Sequence, residues 1–247
     1  MSSSFFTKNH IILNEIESTN QFLLELNKTT KLNTPIVVTT DYQFLGRGRK
    51  SKKWDSERGK NLLISILFKH NINIIDQFNF SMLVSLVISD FISLYIKENI
   101  SIKWPNDIMV KDKKIAGFII DNIVSNSIIH TSVVGVGINI NQINFNSYSP
   151  LATSLSLENK CEYNLHEIQE KFLSCFEIRY KQHLLKYLFK DQYNNLLYLK
   201  NRFLLFESNN FKFNARIQNV DEYGNLILLL KDNKKKKFSV NEIRFLF

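Results

Sequence analysis

Four consecutive residues, Gly46-Arg47-Gly48-Arg49, hold the densest potential for chemistry in this sequence, and Lys50, Lys52 and Lys53 extend the positive charge as far as Trp54. A backbone without Cβ can approach a ligand closely and turn its N–H groups toward an anion. Guanidinium groups grip phosphate or carboxylate oxygens in a two-pronged fork. These residue types in this order suit a polyanion. The plainer reading is a basic surface loop, but the setting argues for more. The apolar run Pro35 to Thr40 leads in and Asn61 to Phe68 leads out, so the loop is held between two buried strands. It is not a Walker loop, because no GxxxxGK[ST] occurs. Nor is it the dinucleotide type GxGxxG, because position 51 is serine and no helical pattern follows.

The remaining polar candidates sit on elements that would position them. Ser18 followed by Gln21 has the spacing of a capping box at the start of a helix through Phe22, Leu23 and Leu26. An ordinary cap explains Ser18, Thr19 and Asn20, yet hydroxyls and amides at a helix start can also face a ligand. A short strand, His10 to Leu13, precedes them. From Gln77 to Glu98 apolar residues recur at steps of three and four, which predicts the clearest helix of the chain. Ile100 to Trp104, Ile108 to Val110, Ile115 to Val124 and Ile128 to Ile140 follow as strands joined by tight polar turns, an antiparallel meander. Glycine inside a strand weakens it. Three of the seven glycines, Gly117, Gly135 and Gly137, lie on neighbouring strands here, which points to a surface that a ligand approaches. Helical spacing runs from Asn164 to about Lys200 with a break expected near Lys190-Asp191. The segment from about Arg202 to Phe247 alternates as four or five short strands, enough for a small SH3-like barrel, with Lys234 to Lys237 at a hairpin tip.

At 247 residues and 44% hydrophobic composition the chain can bury a full core, as one large domain with at most a small appendage. No run of 18 apolar residues occurs and the first residues lack a signal-peptide core, so no membrane span is expected. Two cysteines without metal-ligand spacing, Cys161 and Cys175, suit a reduced cytoplasmic protein with inert thiols. The net charge of +9 points weakly to an anionic partner, since much of it is scattered.

Taken together these stretches resemble the biotin–protein ligases. The likeness runs in collinear order through Glu17-Ser18-Thr19-Asn20, Gln43, Gly46-Arg47-Gly48-Arg49 and Lys103-Trp104-Pro105-Asn106-Asp107. It continues through Lys113-Lys114-Ile115-Ala116-Gly117, Gly135-Val136-Gly137-Ile138-Asn139 and Ala152-Thr153-Ser154-Leu155. The resemblance implies an α+β fold of the class II synthetase-like, biotin–lipoate ligase type: a mixed, largely antiparallel sheet with packed helices, then an SH3-like barrel. A catalytic domain is expected over 1–200 and the barrel over 201–247. Only 16 residues precede Glu17, which implies the ligase-only form without a winged-helix DNA-binding domain. Two departures stand out. Ser51 and Lys52 replace a glycine and an arginine common in the family's loop, and Asp121 stands where many members carry glutamate, the latter given little weight.

The activity implied is ATP-dependent activation of biotin as biotinyl-5′-AMP and transfer to a lysine of a biotin carboxyl carrier domain, with Mg²⁺ accompanying ATP. Lys114, Arg47 and Arg49 are the implied catalytic groups, acting with backbone N–H groups of the loop. Ser18, Thr19, Asn20, Gln43, Arg47, Gly48, Arg49, Lys114 and Gly117 are implied for biotin. Arg49, Lys52, Trp54, Lys103, Asn106 and Asn139 are implied for ATP. No covalent enzyme intermediate is required, so the absence of a nucleophilic triad is expected. A lipoate–protein ligase shares the fold and the adenylation chemistry, and a nucleic-acid-binding module would use the basic loop to track phosphates. The continuous β-branched run Ile128 to Ile140 suits a buried strand or one that pairs with the carrier or a second copy, so a homodimer competing with the carrier is also in view.

Overall fold

The structure, a computed structural model of the chain, describes residues 6, 8–30, 35–49, 52–97, 99–146 and 150–246. A sheet of seven strands orders it. In chain order these are β1 (His10–Ile16), β2 (Ile36–Gln43), β3 (Asn61–Asn73), β4 (Ile100–Lys103), β5 (Asp107–Val110), β6 (Lys113–Ser125) and β7 (Ile128–Asn139). Across the sheet they run β1-β2-β3-β7-β6-β5-β4. Only β1 and β2 are parallel, and every other neighbouring pair is antiparallel. Short polar turns make the meander possible: a cis Trp104–Pro105 bond lies between β4 and β5, and Asn126 and Ser127, both at positive φ, lie between β6 and β7.

Side chains alternate between the two faces of a strand, and that alternation decides what packs where. On one face Leu23 of α1 (Thr19–Thr29) is buried among Ile36, Val38, Leu67 and Val133. On the other, Val37, Ile64, Ile66, Val134 and Val136 meet α2 (Gln77–Ser93) and α4 (Leu165–Leu184) in the main core. The segment Ile74–Ser93 is long and apolar enough to cross a membrane by composition, and its most apolar 18-residue stretch is 61% buried inside the protein. A helix apolar on nearly every side is what a position between sheet and second helix layer demands.

The helix expected over 77–98 stops at Ser93, and Glu98 lies outside the described residues. The later helical stretch divides into α4 and α5 (Lys190–Asn195), with the gap at 185–189. The break expected near Lys190-Asp191 thus falls directly before them, and these two residues open the second helix. Between β7 and α4 lies the one-turn α3 (Leu155–Asn159), capped by the Ser154 hydroxyl.

Five C-terminal strands, β8 (Phe203–Ser208), β9 (Phe211–Val220), β10 (Leu226–Leu230), β11 (Lys235–Phe238) and β12 (Arg244–Phe245), form a second antiparallel sheet in the order β11-β10-β9-β8-β12. It is compatible with an SH3-like unit, although β11 and β12 do not pair with each other to close it. Lys235, Lys236 and Lys237 are on an edge strand paired to β10, and the turn comes earlier, at 230–234. Lysine is well placed on an edge, where one side of the strand faces water and charge discourages further pairing. Phe206, Ile217 and Leu228 belong to the same core as α2, and Trp104 Nε1 donates to the Gly224 carbonyl at 3.0 Å.

The long β7 is not an edge. It is bonded to β3 on one side and β6 on the other, so its backbone has nothing left to offer a partner. Besides the terminal strand β1, which pairs only with β2, a stretch of open edge lies on β6, whose pairing with β5 ends at Gly117 while the strand continues to Ser125.

A half-buried titratable pair, His70 and His183, sits at the margin of the core, outside the cleft. Burial, helped by His183, pushes the His70 imidazole down to about 4 from 6.5, and burial lowers His183 as well. Both rings pack on Phe80. The unfolded chain takes up protons that the folded chain refuses, so stability present above pH 6.5 is lost as pH falls toward 4. Allowing for partial exposure, His70 contributes about 2 kcal/mol to that loss. Thermal midpoints measured from pH 7 to pH 4 are expected to fall less steeply in His70→Gln than in the parent, and identical slopes would contradict the assignment.

Candidate active site

The face of the sheet that α1 covers does not stay filled. Beyond Val133 and Leu67 the next inward positions are Gly135, Gly137 and Ser65, with Gly117 opposite Gly137 on β6. Small residues where large ones would pack leave a cleft of about 490 Å³ at the end of α1. Arg47, Gly48, Arg49, Lys52, Lys53 and Trp54 of the basic loop line it, and Val240, Ile243, Arg244 and Phe245 of the C-terminal unit wall one side. Ser18, Thr19, Asn20, Gln43, Arg47, Gly48, Arg49, Lys52, Trp54, Lys103, Asn106, Lys114, Gly117 and Asn139 all line this one cleft. Lys50 and Ser51 lie outside the described residues.

Its polar end is built at the start of α1. Ser18 is the N-cap, its hydroxyl 3.5 Å from the Gln21 N–H, but Gln21 turns its amide to Glu25, so the reciprocal half of the capping box is missing. Gln43 Oε1 accepts from the Thr19 N–H at 2.8 Å, and the Thr19 hydroxyl meets that of Ser65 at 2.6 Å. Ser65 donates to Asn20 Oδ1 at 2.6 Å and Asn20 Nδ2 donates to Asp121 at 3.0 Å. Asp121 also accepts from Arg47 at 2.9 Å. A Cβ at Gly135 would run into the Asn20 amide, so glycine is what lets Asn20 reach across β7.

The basic end is organised by Lys114. Its backbone is clamped by the 151–153 segment, accepting from the Thr153 N–H at 2.9 Å and donating to the Leu151 carbonyl at 2.7 Å. Its ammonium pairs with Asp107 at 2.6 Å and stands 5.4 Å from the Trp54 ring centre. Trp54 lies against the glycine floor: a Cβ at Gly137 would sit 2.6 Å from indole Cζ2, and the buried Nε1 has no partner among the described residues. Burial pulls Arg49 and Lys103 below their ordinary values, with Asp107 opposing in both. Cations held in a partly dry cleft are stabilised by an arriving anion. Asn106 and Asn139 use their NH₂ groups on the carbonyls of Phe118 and Thr153, at 2.6 and 2.9 Å, which leaves their oxygens as acceptors.

The loop departs from the expectation in one respect. Neither Gly46 nor Gly48 has positive φ, and the Gly48 N–H is bonded to the Lys52 carbonyl, not turned to the cleft. The described arms of the loop, 46–49 and 52–54, pair antiparallel with each other, closed by Trp54 N–H to the Gly46 carbonyl at 2.9 Å. A Cβ at Gly46 would lie 2.5 Å from the Trp54 carbonyl oxygen, so close backbone approach is the reason for glycine there.

Sequence reasoning passed over several groups that complete the site. Ser65 had a signal, as the lone hydroxyl in the buried run Leu62 to Phe68. Asp121, given little weight from the sequence, joins Asn20 to Arg47, and Asp107 holds Lys114. The C-terminal wall had no local signal.

Fold and cleft together define an α+β protein with a polar pocket at one end and a cluster of cations at the other, the layout of a site that joins a small polar molecule to a phosphate compound. Residues 13–139 match the Biotin/lipoate A/B protein ligase family, and the chain belongs to that family. It is 25% identical over 178 residues to the Bacillus spizizenii bifunctional ligase/repressor BirA, covering 71% of this chain and 55% of that one. It is 30% identical over 129 residues to the Escherichia coli protein of the same name, covering 52% and 40%. The chain thus spans about half the length of the curated relatives it matches. Among solved structures, the Aquifex aeolicus biotin protein ligase in complex with biotin and ATP superposes with a TM-score of 0.76 at 23% identity, over 97% of this chain and all of that one. The Leishmania major ligase in complex with biotinyl-5-AMP gives 0.61 at 16% identity, over 94% and 99%.

Proposed function

We propose that this chain is an ATP-dependent biotin–protein ligase, a biotin–[biotin carboxyl-carrier protein] ligase. The observation that carries the reading is the pairing, in one cleft, of a hydrogen-bonding end at Ser18, Thr19, Asn20 and Gln43 with seven cations, Arg47, Arg49, Lys52, Lys53, Lys103, Lys114 and Arg244. A urea ring needs the first and a carboxylate meeting a triphosphate needs the second. Biotin carboxylate oxygen attacks the α-phosphorus of ATP, the bond to the β-phosphate oxygen breaks, and pyrophosphate leaves with the electron pair. Two anions must be brought together, so the cations act by positioning and by neutralising charge at the transfer point. Arg47 and Lys114 pair with Asp121 and Asp107. An anionic substrate takes over from those carboxylates. Gly48 and Gly117 give the ligand room, and Lys52, Trp54, Lys103, Asn106 and Asn139 are assigned to the nucleotide. In the second step a carrier lysine amine attacks the anhydride carbon, a C–N bond forms, and AMP departs.

Mg²⁺ fits as a companion of ATP. Among the described residues no group of three or more His, Cys, Asp or Glu side chains could cage a metal. Mg²⁺ is commonly held by substrate phosphates with one or two protein ligands, and the Asn106 and Asn139 oxygens are the acceptors at hand. When bound, it would shield phosphate charge. We assign 1–200 to catalysis and 201–247 to an SH3-like unit that completes the cleft wall. The carrier, a biotin carboxyl carrier domain, meets the protein in the cytoplasm by this reading, and the outer edge of β6 is the place where it or a second copy can add a strand. Incubating the chain with biotin, ATP and an apo carrier domain should biotinylate the carrier on one lysine, read by intact mass. A carrier of unchanged mass would refute the transfer step.

A further inference from the structure

Lys114 sits at an irregularity of its strand, and its position depends on what braces that irregularity. Ile108 pairs with Ala116 but Met109 pairs with Lys114, which leaves Ile115 as an extra residue on β6. A bulge of this kind bends a strand and re-aims the side chains beside it. Beyond β5, the Lys114 backbone is held by one isolated parallel bridge to Ala152, made of the bonds to the Leu151 carbonyl and the Thr153 N–H. Two hydrogen bonds place Lys114 only as firmly as the 151–153 segment is itself held.

The grip on that segment comes from Glu158 of α3. Its Oε1 accepts from the Thr153 hydroxyl at 2.8 Å, and its Oε2 pairs at 3.2 Å with Lys111, on the turn between β5 and β6. Thr153 is fully buried, so its hydroxyl has no water to turn to. The Thr153 carbonyl also accepts from Asn139. Lys111, Lys114, Thr153 and Glu158 thus close a ring that ties the β5–β6 turn to the segment facing it. Neither Glu158 nor Lys111 lines the cleft.

We infer that Glu158 is a positioning residue for the adenylation step: through Thr153 it sets the backbone of Lys114, and with it the place where the ammonium stands. The inference rests on the role proposed for Lys114 in biotin activation and extends it to a residue that never meets substrate. A cation at the transfer point works by being in place before the reaction, and a displacement of about 1 Å can cost about a hundredfold in rate. Lys111 contributes less, since its side chain is 63% exposed and its charge is screened by water.

Biotin-dependent ATP–pyrophosphate exchange on the full chain tests this, run beside the thermal midpoint. Glu158→Ala leaves the buried Thr153 hydroxyl without its acceptor and is expected to lower kcat at least about tenfold. The KM for biotin is expected to move less than about threefold, since none of these bonds reaches the polar end of the cleft. Glu158→Gln keeps a carbonyl oxygen for Thr153 and should restore most of the rate. Thr153→Val removes the hydroxyl with little change of bulk, so it reports the same loss even if Glu158→Ala folds poorly, and Thr153→Ser should recover it. In a Lys114→Ala background, Glu158→Ala is expected to cost less than about threefold further, because the side chain it positions is gone. A merely structural glutamate would lower the rate by the same factor with or without the Lys114 side chain, and that result overturns the inference. So does a parental kcat in Glu158→Ala and Thr153→Val. A parent that shows no biotin-dependent exchange overturns the biotin reading itself, and the inference falls with it.

Discussion

Lys114→Ala is expected to lower biotin-dependent adenylation at least about a hundredfold while shifting folding stability by only about 1 kcal/mol. The contrast follows from how the residue is held. The backbone of Lys114 carries the structural duty, through its bonds to Leu151 and Thr153, and alanine keeps both. What alanine removes is the ammonium, with side-chain exposures of 27% for Lys114 and 22% for its partner Asp107. Losing a partly exposed pair costs little in the free protein, whereas losing a cation at the point where carboxylate meets phosphate removes stabilisation that matters most in the transition state. Parallel measurement of pyrophosphate exchange and thermal midpoint separates the two. Near-parental exchange would contradict the role given to Lys114, and a collapsed midpoint would make the residue chiefly structural.

Gly135→Ala should damage the opposite end of the cleft. The new Cβ would meet Asn20, lying 2.8 Å from its Cγ, in a contact that real structures avoid. Asn20 cannot swing aside freely, because Ser65 and Asp121 hold it from two directions. Overpacking of this kind costs about 1–3 kcal/mol of stability. The expected kinetic signature is a KM for biotin raised at least about tenfold with the KM for ATP little changed. Gly117→Ala adds comparable bulk to the same floor, but its Cβ would meet Lys114 Nζ, the far end of a flexible chain, at 3.0 Å and Trp54 at 3.3 Å, so it is expected to raise the KM for biotin less than Gly135→Ala does. Equal effects from the two substitutions would argue that bulk on the floor, and not Asn20, is what matters.

Much of this was legible in the sequence, and the reason is local. Strand alternation, turn residues and the helix start at Ser18 are written in neighbouring residues, so the meander and the loop between β2 and β3 could be read directly. The three strand glycines flagged the floor because glycine inside a strand needs an explanation. What stayed hidden depends on how strands are ordered. A continuous β-branched run signals burial, but a strand with two neighbours and one with a free edge read alike, so β7 looked available for pairing when β3 and β6 already enclose it. The loop glycines were expected to free the backbone for an anion. Their role is instead to let the two arms of the loop pair closely, which depends on where Trp54 and Lys52 return. Ser65 and Asp121 matter because they meet Asn20 from distant strands, and Phe245 because a whole C-terminal unit docks beside Lys103, 5.6 Å from its ring centre.

The central claim, that the cleft activates biotin with ATP, is tested most directly by ATP–pyrophosphate exchange on the purified chain with biotin, with lipoate, and with neither. The account predicts exchange that requires biotin and is not supported by lipoate. No exchange with biotin, or equal exchange with lipoate, would contradict it.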